Sequence, residues 1–309
     1  LTRVAVVGAG QFGQNHVRVV RESVNAELTA VVDTDPAKAT IQDYRDLYGN
    51  VDAAIISAPT IFHADIGCDL MSNGIDVLIE KPIAPDLASA DRLVETAARH
   101  GRILQVGHLE RFNPAVVALE AVATLPLFFE IHRMSIFSPR SLDVDVVLDL
   151  MIHDLDIVLA LVKSPLEEVR AAGVSILSSK VDIANVRLQF QDGCIANLTA
   201  SRVSTEKVRK LRLFQPQEYL SLDYGRQDLA AFSVGPNQQI GFRQPAVEKG
   251  EPLKLQFESF LNSISTRQTP KLDGAAARRT LELALAIVAK MKDHSEVVSR
   301  TISSQRTGA

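Results

Sequence analysis

Val4-Ala5-Val6-Val7-Gly8-Ala9-Gly10-Gln11-Phe12-Gly13 is an apolar run that breaks into a glycine loop, and its reading decides the architecture. Val4 to Val7 fit a strand buried on both faces. In the G-x-G-x-x-G that follows, Gly8 makes the tight turn, Gly10 lets the backbone approach a pyrophosphate, and Gly13 permits close packing of helix on strand. Gln11 and Phe12 fill the two open positions of the loop. The helix that starts there offers free N–H groups and partial positive charge to phosphates. A glycine motif alone is weak evidence. Here, however, a second apolar strand ends at Asp33, 20 residues after Gly13, where a carboxylate accepts hydrogen bonds from the adenosine ribose. That carboxylate also repels a 2′-phosphate, and no Arg follows in Thr34-Asp35-Pro36. The expected cofactor is therefore NAD rather than NADP.

Outward from this loop, Leu28–Val32, Ala53–Ser57, Asp76–Ile79 and Ile103–Val106 read as further buried strands. Gly13–Glu22, Ala64–Asn73 and Asp86–His100 read as the helices between them. Strands alternating with helices predict a parallel, Rossmann-type α/β sheet. The pattern then changes. Phe128–Phe137, Glu168–Leu177, Asp182–Phe190, Cys194–Val203, Lys207–Phe214 and Tyr219–Asp223 are strand-like, and Gln191-Asp192-Gly193 is a hairpin turn. These predict a largely antiparallel open sheet, an α+β half with one helical island at Val144–Val162. The expected division is a dinucleotide-binding domain at 1–116 and a substrate and oligomerisation domain at 117–309. An Ala- and Leu-rich helix at about 274–292 is apolar all round and suited to packing back on the first domain, and Ser303 to Ala309 read as a frayed tail. One connection is short: 18 residues separate Asp33 from Asp52. Either this half-unit is trimmed, or residues near Pro36–Gln42 are missing from the sequence.

The net charge of −4 excludes a nucleic-acid or anionic-membrane surface, which needs clustered positive charge. No apolar run reaches the roughly 18 residues of a membrane span. Cys68 and Cys194 form neither a disulfide framework nor a zinc pattern, and His108, His132 and His153 lack ligand spacing, so no metal is expected. With no signal peptide in the sequence given, the expectation is a cytoplasmic protein.

Ligands of open parallel sheets bind beyond the carboxyl ends of the strands. Ser57-Ala58-Pro59-Thr60 and Glu80-Lys81-Pro82 stand at two such ends, which places Ser57, Pro59, Thr60, Glu80 and Lys81 with the cofactor; the plain alternative for Lys81 is a surface pair with Glu80. His108, Arg111 and Asn113 follow the last of these strands. Arg111 and Asn113 either bind nicotinamide or substrate or form a hinge, and His108 is either in the site or packed. Arg202 ends a strand of the second sheet, where it either holds a substrate diphosphate or is an ordinary surface residue. Asp149 and His153 are four apart and share one helix face, either as a core pair or as a reactive one. Asp154 reads as solvent-facing or capping, and Asp156 is undecided.

The glycine loop with His16, Ala58-Pro59-Thr60 with His63, Glu80-Lys81-Pro82 and Asp149-Leu150-Met151-Ile152-His153, in that order, resemble the Gfo/Idh/MocA oxidoreductases. The resemblance implies a Rossmann domain followed by a largely antiparallel sheet, with NAD bound against residues that include His63. It implies that His153 is the general base, Asp149 its partner, and Lys81 the group that stabilises negative charge on the reacting oxygen. Val106-Gly107-His108-Leu109-Glu110-Arg111-Phe112-Asn113-Pro114 and Leu148–Asp156 are similar to the branch that oxidises UDP-N-acetylhexosamines at C3, a step towards amino sugars of the lipid A type. The substrate expected is thus a sugar or nucleotide sugar. The alternatives are dehydrogenation of a free polyol or hexose, or NAD sensing without catalysis. Many family members carry glycines just before the D-x-x-x-H acid, where this chain has Asp143-Val144-Asp145-Val146-Val147, so a different substrate entry is expected. The free face of the second sheet predicts a homo-oligomer, a dimer or tetramer.

Overall fold

Strand Thr2–Val7 (β1) is fully buried from Val4 onward, as a central parallel strand requires. It leads through the glycine loop into helix Gln11–Glu22 (α1), whose buried stripe is Gly13, His16, Val17 and Val20, with Val19 beside it. Ala26–Val32 (β2), Ala53–Ile56 (β3), His63–Ser72 (α2), Asp76–Glu80 (β4), Leu87–His100 (α3) and Leu104–Gly107 (β5) complete a parallel sheet of order β2-β1-β3-β4-β5. Asp86 caps α3, accepting from Ser89 N at 2.8 Å. The computed structural model describes residues 1–137, 144–235 and 237–306, so Asp143 lies outside the described residues.

The short β2–β3 connection holds no α-helix. Thr40 N donates to Val31 O at 2.8 Å and Ile41 bridges Val32 beside β2. A 3-10 turn at Tyr44–Leu47, capped by Asp43, then leads to β3.

The second sheet follows helix Pro114–Val122 (α4), whose N-cap is Asn113. Its strands are Phe128–Ile136 (β6) and then, after helix Ile152–Leu161 (α5), Leu166–Val174 (β7), Ile183–Phe190 (β8), Ile195–Ser204 (β9), Val208–Gln215 (β10), Glu218–Asp223 (β11), Asp228–Val234 (β12) and Ile240–Arg243 (β13). The order is β13-β12-β11-β10-β6-β9-β8-β7. Every neighbouring pair is antiparallel except β6 with β9, which is parallel. Side chains alternate as the pleat dictates: Ala184, Val186, Leu188 and Phe190 of β8 enter the core, while Asn185 and Arg187 face out. On the outer face Phe128, Phe214, Tyr219, Phe232 and Phe242 form one row across five strands, with ring centroids 4.9 to 6.0 Å apart.

Helices Pro252–Thr266 (α6) and Gly274–Arg306 (α7) close the chain, and α7 continues past the expected end near residue 292 and through Ser303. The chain forms two compact units, residues 1–112 with 250–281, and residues 113–249 with the chain from 282 onward. This differs from a single cut at 116/117, because the chain returns to the first unit. There Phe257 and Phe260 of α6 join Val6, Val20 and Ile55 in the core. Ala277 and Leu281 of α7 are buried with the first unit, whereas Leu283, Ala284, Ile287 and Met291 belong to the core of the second. No helix among the described residues is long and apolar enough to cross a membrane.

Two buried ion pairs correct the sequence reading. Asp154 is neither solvent-facing nor a cap. It is buried, it accepts from Arg133 at 2.7 and 2.8 Å, and it also accepts from the Tyr224 hydroxyl at 3.1 Å. Arg202 is not a surface residue, being only 4% exposed. Its Nε donates to Asp182 at 3.0 Å and its Nη2 to the carbonyls of Val144 and Val181, so the guanidinium is engaged inside the unit and does not read as a diphosphate clamp. The local reason is a break in strand alternation: Ala200, Ser201 and Arg202 are buried in succession near the end of β9, where its register with β6 shifts.

Burial would raise the Asp182 pKa, but the Ser178 hydroxyl and the N–H groups of Ile176, Leu177 and Ser178 outweigh it and hold it at about 2. A carboxylate whose folded pKa is depressed stabilises the fold above its unfolded value, and that contribution is lost as pH falls through the folded one. Stability should therefore fall between about pH 4 and pH 2 as Asp182 is protonated. Asp182→Asn should cost about 3–5 kcal/mol at neutral pH, since it strands the Arg202 charge, and should flatten this acid limb. Denaturant unfolding measured at several pH values checks both effects.

Candidate functional site

The glycine loop is built by exclusion. Gly8 sits at φ +94°, and a Cβ there would lie 2.6 Å from Ala58 N. A Cβ on Gly13 would overlap the Gly8 carbonyl oxygen, which also accepts from Ser57 Oγ at 2.7 Å. Ser57, one of the expected cofactor residues, thus locks the loop to the end of β3. Gly10 differs: a Cβ there would meet no protein atom within 4 Å, so its open side is available to a ligand. Gly10 is also the N-cap of α1, with no side-chain cap and no acidic residue in the first turn. The first-turn N–H groups and the helix dipole are left for an anion.

Asp33 stands beside this loop. Its two carboxylate oxygens accept from Asp35 N at 2.9 Å and Ala9 N at 2.7 Å, and these bonds lower its pKa against the opposing effect of burial. The carboxylate is ionised and fixed, with lone pairs left for ribose hydroxyls. A cavity of about 1000 Å³ opens between Gly8, Gly10, Asp33, Ser57, Pro59 and Phe62. An open glycine, an uncapped helix end and an oriented acid around one cavity fit a dinucleotide, and NAD held here would supply the hydride acceptor. Phe12 is half exposed at the loop, and its ring meets His16 edge-on at 5.4 Å. Gln11 and Thr60 begin α1 and the 3-10 turn after β3.

Glu80 and His63 brace the cavity rather than line it. Glu80 turns inward: its Oε1 lies 2.8 Å from Nε2 of fully buried His16, and its Oε2 accepts from Lys81 N at 3.3 Å. The space exists because residue 107 is glycine; a Cβ there would be 2.7 Å from the same Oε1. His63 is buried with its ring nitrogens 3.0 Å from Pro82 O and 2.8 Å from Ala58 O, which ties the crests of β3 and β4 together. Burial pushes its pKa down, against the pull of both carbonyls. Lys81 is half-buried beside these braces.

Lys81 and Arg111 lie close enough to His108 for their charges to act on it. Burial first, then these two cations, push the His108 pKa down to about 3. His108 is therefore neutral at physiological pH and a poor proton acceptor. Arg111 lies in a 3-10 turn whose carbonyl accepts from Lys271 at 2.9 Å. Asn113 caps α4, accepting from Ala115 N and donating to Tyr224 O, both at 3.1 Å.

In the second unit Asp149 lies in a π-turn, Val147–Met151, and His153 in the first turn of α5. The π-turn widens the helix by one residue but keeps positions four apart on one side. Asp149 is half-buried and His153 is 8% exposed.

Sequence reading missed the outer wall of the cavity, formed by Gln42, Asp43, Tyr44 and Arg45 with Asp65 and Ile66. The available signal was the short β2–β3 connection: without a helix to carry it away, the chain must run along the strand ends. The role of His16 was also missed, although it stands one turn after Gly13 on the buried stripe.

Residues 2–108 match the model of the oxidoreductase family with NAD-binding Rossmann fold, and residues 123–215 match the Gfo/Idh/MocA C-terminal domain. The UDP-N-acetylglucosamine 3-dehydrogenase of Acidithiobacillus ferrooxidans is 35% identical over 92% of this chain and 96% of that protein. A solved structure of that enzyme superposes with a TM-score of 0.90, covering 95% of this chain and 98% of that one at 32% identity. An inositol 2-dehydrogenase of an Arthrobacter species is 30% identical, but over 50% of this chain and 52% of its own length. The chain belongs to the Gfo/Idh/MocA family of oxidoreductases and carries that family's NAD-binding Rossmann fold.

Proposed function

We propose that this protein oxidises the C3 hydroxyl of a UDP-N-acetylhexosamine to a ketone, with NAD as hydride acceptor. One observation carries this reading: the likeness to the UDP-N-acetylglucosamine 3-dehydrogenase runs through both units, whereas the likeness to the inositol dehydrogenase covers half the chain. A polyol or hexose substrate therefore has less support, since the sequence likeness to that inositol dehydrogenase spans half of this chain. A sensor without catalysis would have no use for Lys81, Asp149 and His153 together.

In this reading His153 accepts the proton of the sugar hydroxyl. Imidazole titrates near neutral pH, and the carboxylate of Asp149 one turn earlier fixes the ring and stabilises the imidazolium that forms. Lys81 donates to the same oxygen and stabilises the negative charge that develops on it. Glu80, held by His16, takes the Lys81 backbone N–H and fixes where the lysine starts. His108, kept neutral, contributes shape and hydrogen bonding rather than proton transfer, and Arg111, whose charge acts on His108, binds an anionic group of the substrate. The resulting 3-keto sugar is set up for transamination to an amino sugar. The free thiols Cys68 and Cys194 suit the cytoplasm, where we place the reaction.

We also infer a homo-oligomer, with a second copy covering the outer face of the larger sheet. That face carries the aromatic row, and one row along it the Glu130–Arg212 pair at 3.0 Å, a mixture that its own copy complements. A monomer mass in sedimentation would remove this element.

The activity is tested by mixing the protein with NAD and UDP-N-acetylglucosamine and following NADH absorbance. The reading expects steady NADH formation that free N-acetylglucosamine, glucose and myo-inositol do not support. NADH formed from myo-inositol or glucose alone would replace the nucleotide-sugar assignment with the polyol one.

A further inference from the structure

The lining of the cavity that fits the adenosine end of NAD is rich in carboxylates, and the cations around it are already paired: Arg92 with Asp65 at 3.0 Å and Lys38 with Asp35 at 2.9 Å. Asp33, Asp43 and Asp65 line it, and among its described lining residues Arg45 is the one cation. Arg45 is preorganised. Its guanidinium lies over the Tyr44 ring, 4.9 Å from the centroid, and the Tyr44 hydroxyl is tethered by donating to Asp69 at 2.7 Å. Its charge is already answered, because Nη1 donates to both Asp43 oxygens at 3.2 and 3.4 Å.

An exposed ion pair of this kind is weak by itself. Asp43 is held in place by something else: its Oδ1 caps the 3-10 turn, accepting from Arg45 N at 2.9 Å. The carboxylate therefore stays beside the guanidinium whether or not the side-chain pair is made. A phosphate at the adenosine 2′ position would bring about two negative charges to this rim. It would meet Asp33 at the ribose and Asp43 at the one fork whose geometry matches phosphate oxygens.

We propose that Asp43 is a second coenzyme-specificity residue, which with Asp33 excludes NADP by withholding Arg45 from the 2′-phosphate. Asp33 repels the phosphate directly, and Asp43 occupies the one guanidinium fork among the described lining residues. This rests on the NAD site described above, and the consequence is specific. Removing the Asp33 charge alone leaves Arg45, the one cation among the described lining residues, still paired with Asp43. Removing both charges turns the same rim into a 2′-phosphate site without any added residue.

The test uses the full-length protein and calorimetric titration with 5′-ADP and 2′,5′-ADP, which need no turnover. The variants are Asp33→Ser, Asp43→Asn, the two combined, and the combination with Arg45→Ala. Asparagine keeps the oxygen that caps the turn, so the Asp43→Asn protein retains its local structure. The expected result is that 2′,5′-ADP binds the double variant about tenfold or more tightly than Asp33→Ser. Adding Arg45→Ala should abolish that gain, while 5′-ADP affinity differs little between Asp33→Ser and the double variant. Equal 2′,5′-ADP affinity with and without Asp43→Asn, or a gain that survives Arg45→Ala, overturns the proposal. Failure of the unaltered protein to bind 5′-ADP overturns it too, and distinctly, because the adenosine site itself would then be elsewhere.

Discussion

His153→Ala should lower kcat with UDP-N-acetylglucosamine by about 10²–10⁴-fold and leave the NAD dissociation constant unchanged. Lys81→Ala should produce a loss of similar size, because charge stabilisation at the reacting oxygen is commonly worth about 10²–10³ in kcat. In the proposed reaction both groups act on the same oxygen, so the double variant should be little worse than either single one. His108, on which the Lys81 charge acts, cannot make good the loss, because its pKa of about 3 leaves it a poor base. Steady-state rates and calorimetric NAD titration separate the outcomes. If His153→Ala lost NAD affinity together with turnover, His153 would be structural, as a buried helix pair with Asp149 would be.

Gly13→Ala should abolish NAD binding and destabilise the first unit by about 3 kcal/mol, a size typical of forced overpacking. The added methyl group would overlap the Gly8 carbonyl oxygen and approach Ser57 Oγ to 2.8 Å, so the loop, α1 and the β3 crest cannot all keep their places. Gly10→Ala is the informative contrast. Its methyl group would meet no protein atom within 4 Å, so the fold should melt as before. Only the pyrophosphate would meet that group, and NAD affinity should fall about tenfold or more. Thermal melting with and without NAD measures both. Gly10→Ala with full NAD affinity would show that the pyrophosphate does not cross that loop.

The first unit was legible because its signals are local. Val4–Val7 and Ala53–Ile56 are buried on both faces and need no distant partner to be recognised. The glycine positions are dictated by contacts within one loop. In the second unit the strands from Phe128 to Asp223 were readable from alternation and from the Asp192-Gly193 turn, where Gly193 takes φ +88°. Strand β12, with Ala230 and Ala231 at its centre, alternates too weakly to announce itself, and β13 is short and largely exposed. Helix α6 does show Leu253, Phe257, Phe260 and Leu261 at helical spacing after a proline, yet its membership of the first unit is a long-range fact. Likewise the parallel pairing of β6 with β9 joins segments about sixty residues apart and has no local signature.

The site divides in the same way. Gly8, Gly10, Gly13 and Asp33 were found by spacing; Gly8, Gly10 and Asp33 line one cavity, and Gly13 packs behind the loop against the Gly8 carbonyl. Arg202, Asp154 and Asn113 were misjudged or left open because what decides them is a partner far along the chain: Asp182, Arg133 and Tyr224. Charged residues at strand and helix ends look the same in sequence whether they meet ligand, solvent or a buried counter-ion. Burial separates these cases, and burial depends on tertiary packing.

The proposed function stands on hydride removal from C3 of a nucleotide-linked N-acetylhexosamine. The most direct measurement is mass spectrometry of the reduced coenzyme after turnover of UDP-N-acetylglucosamine carrying deuterium at C3 alone, with a second substrate labelled at C4 alone. Deuterated NADH is expected from the C3-labelled sugar and unlabelled NADH from the other. Deuterium delivered from C4, or no coenzyme reduction by either sugar in a protein that binds NAD, would contradict it.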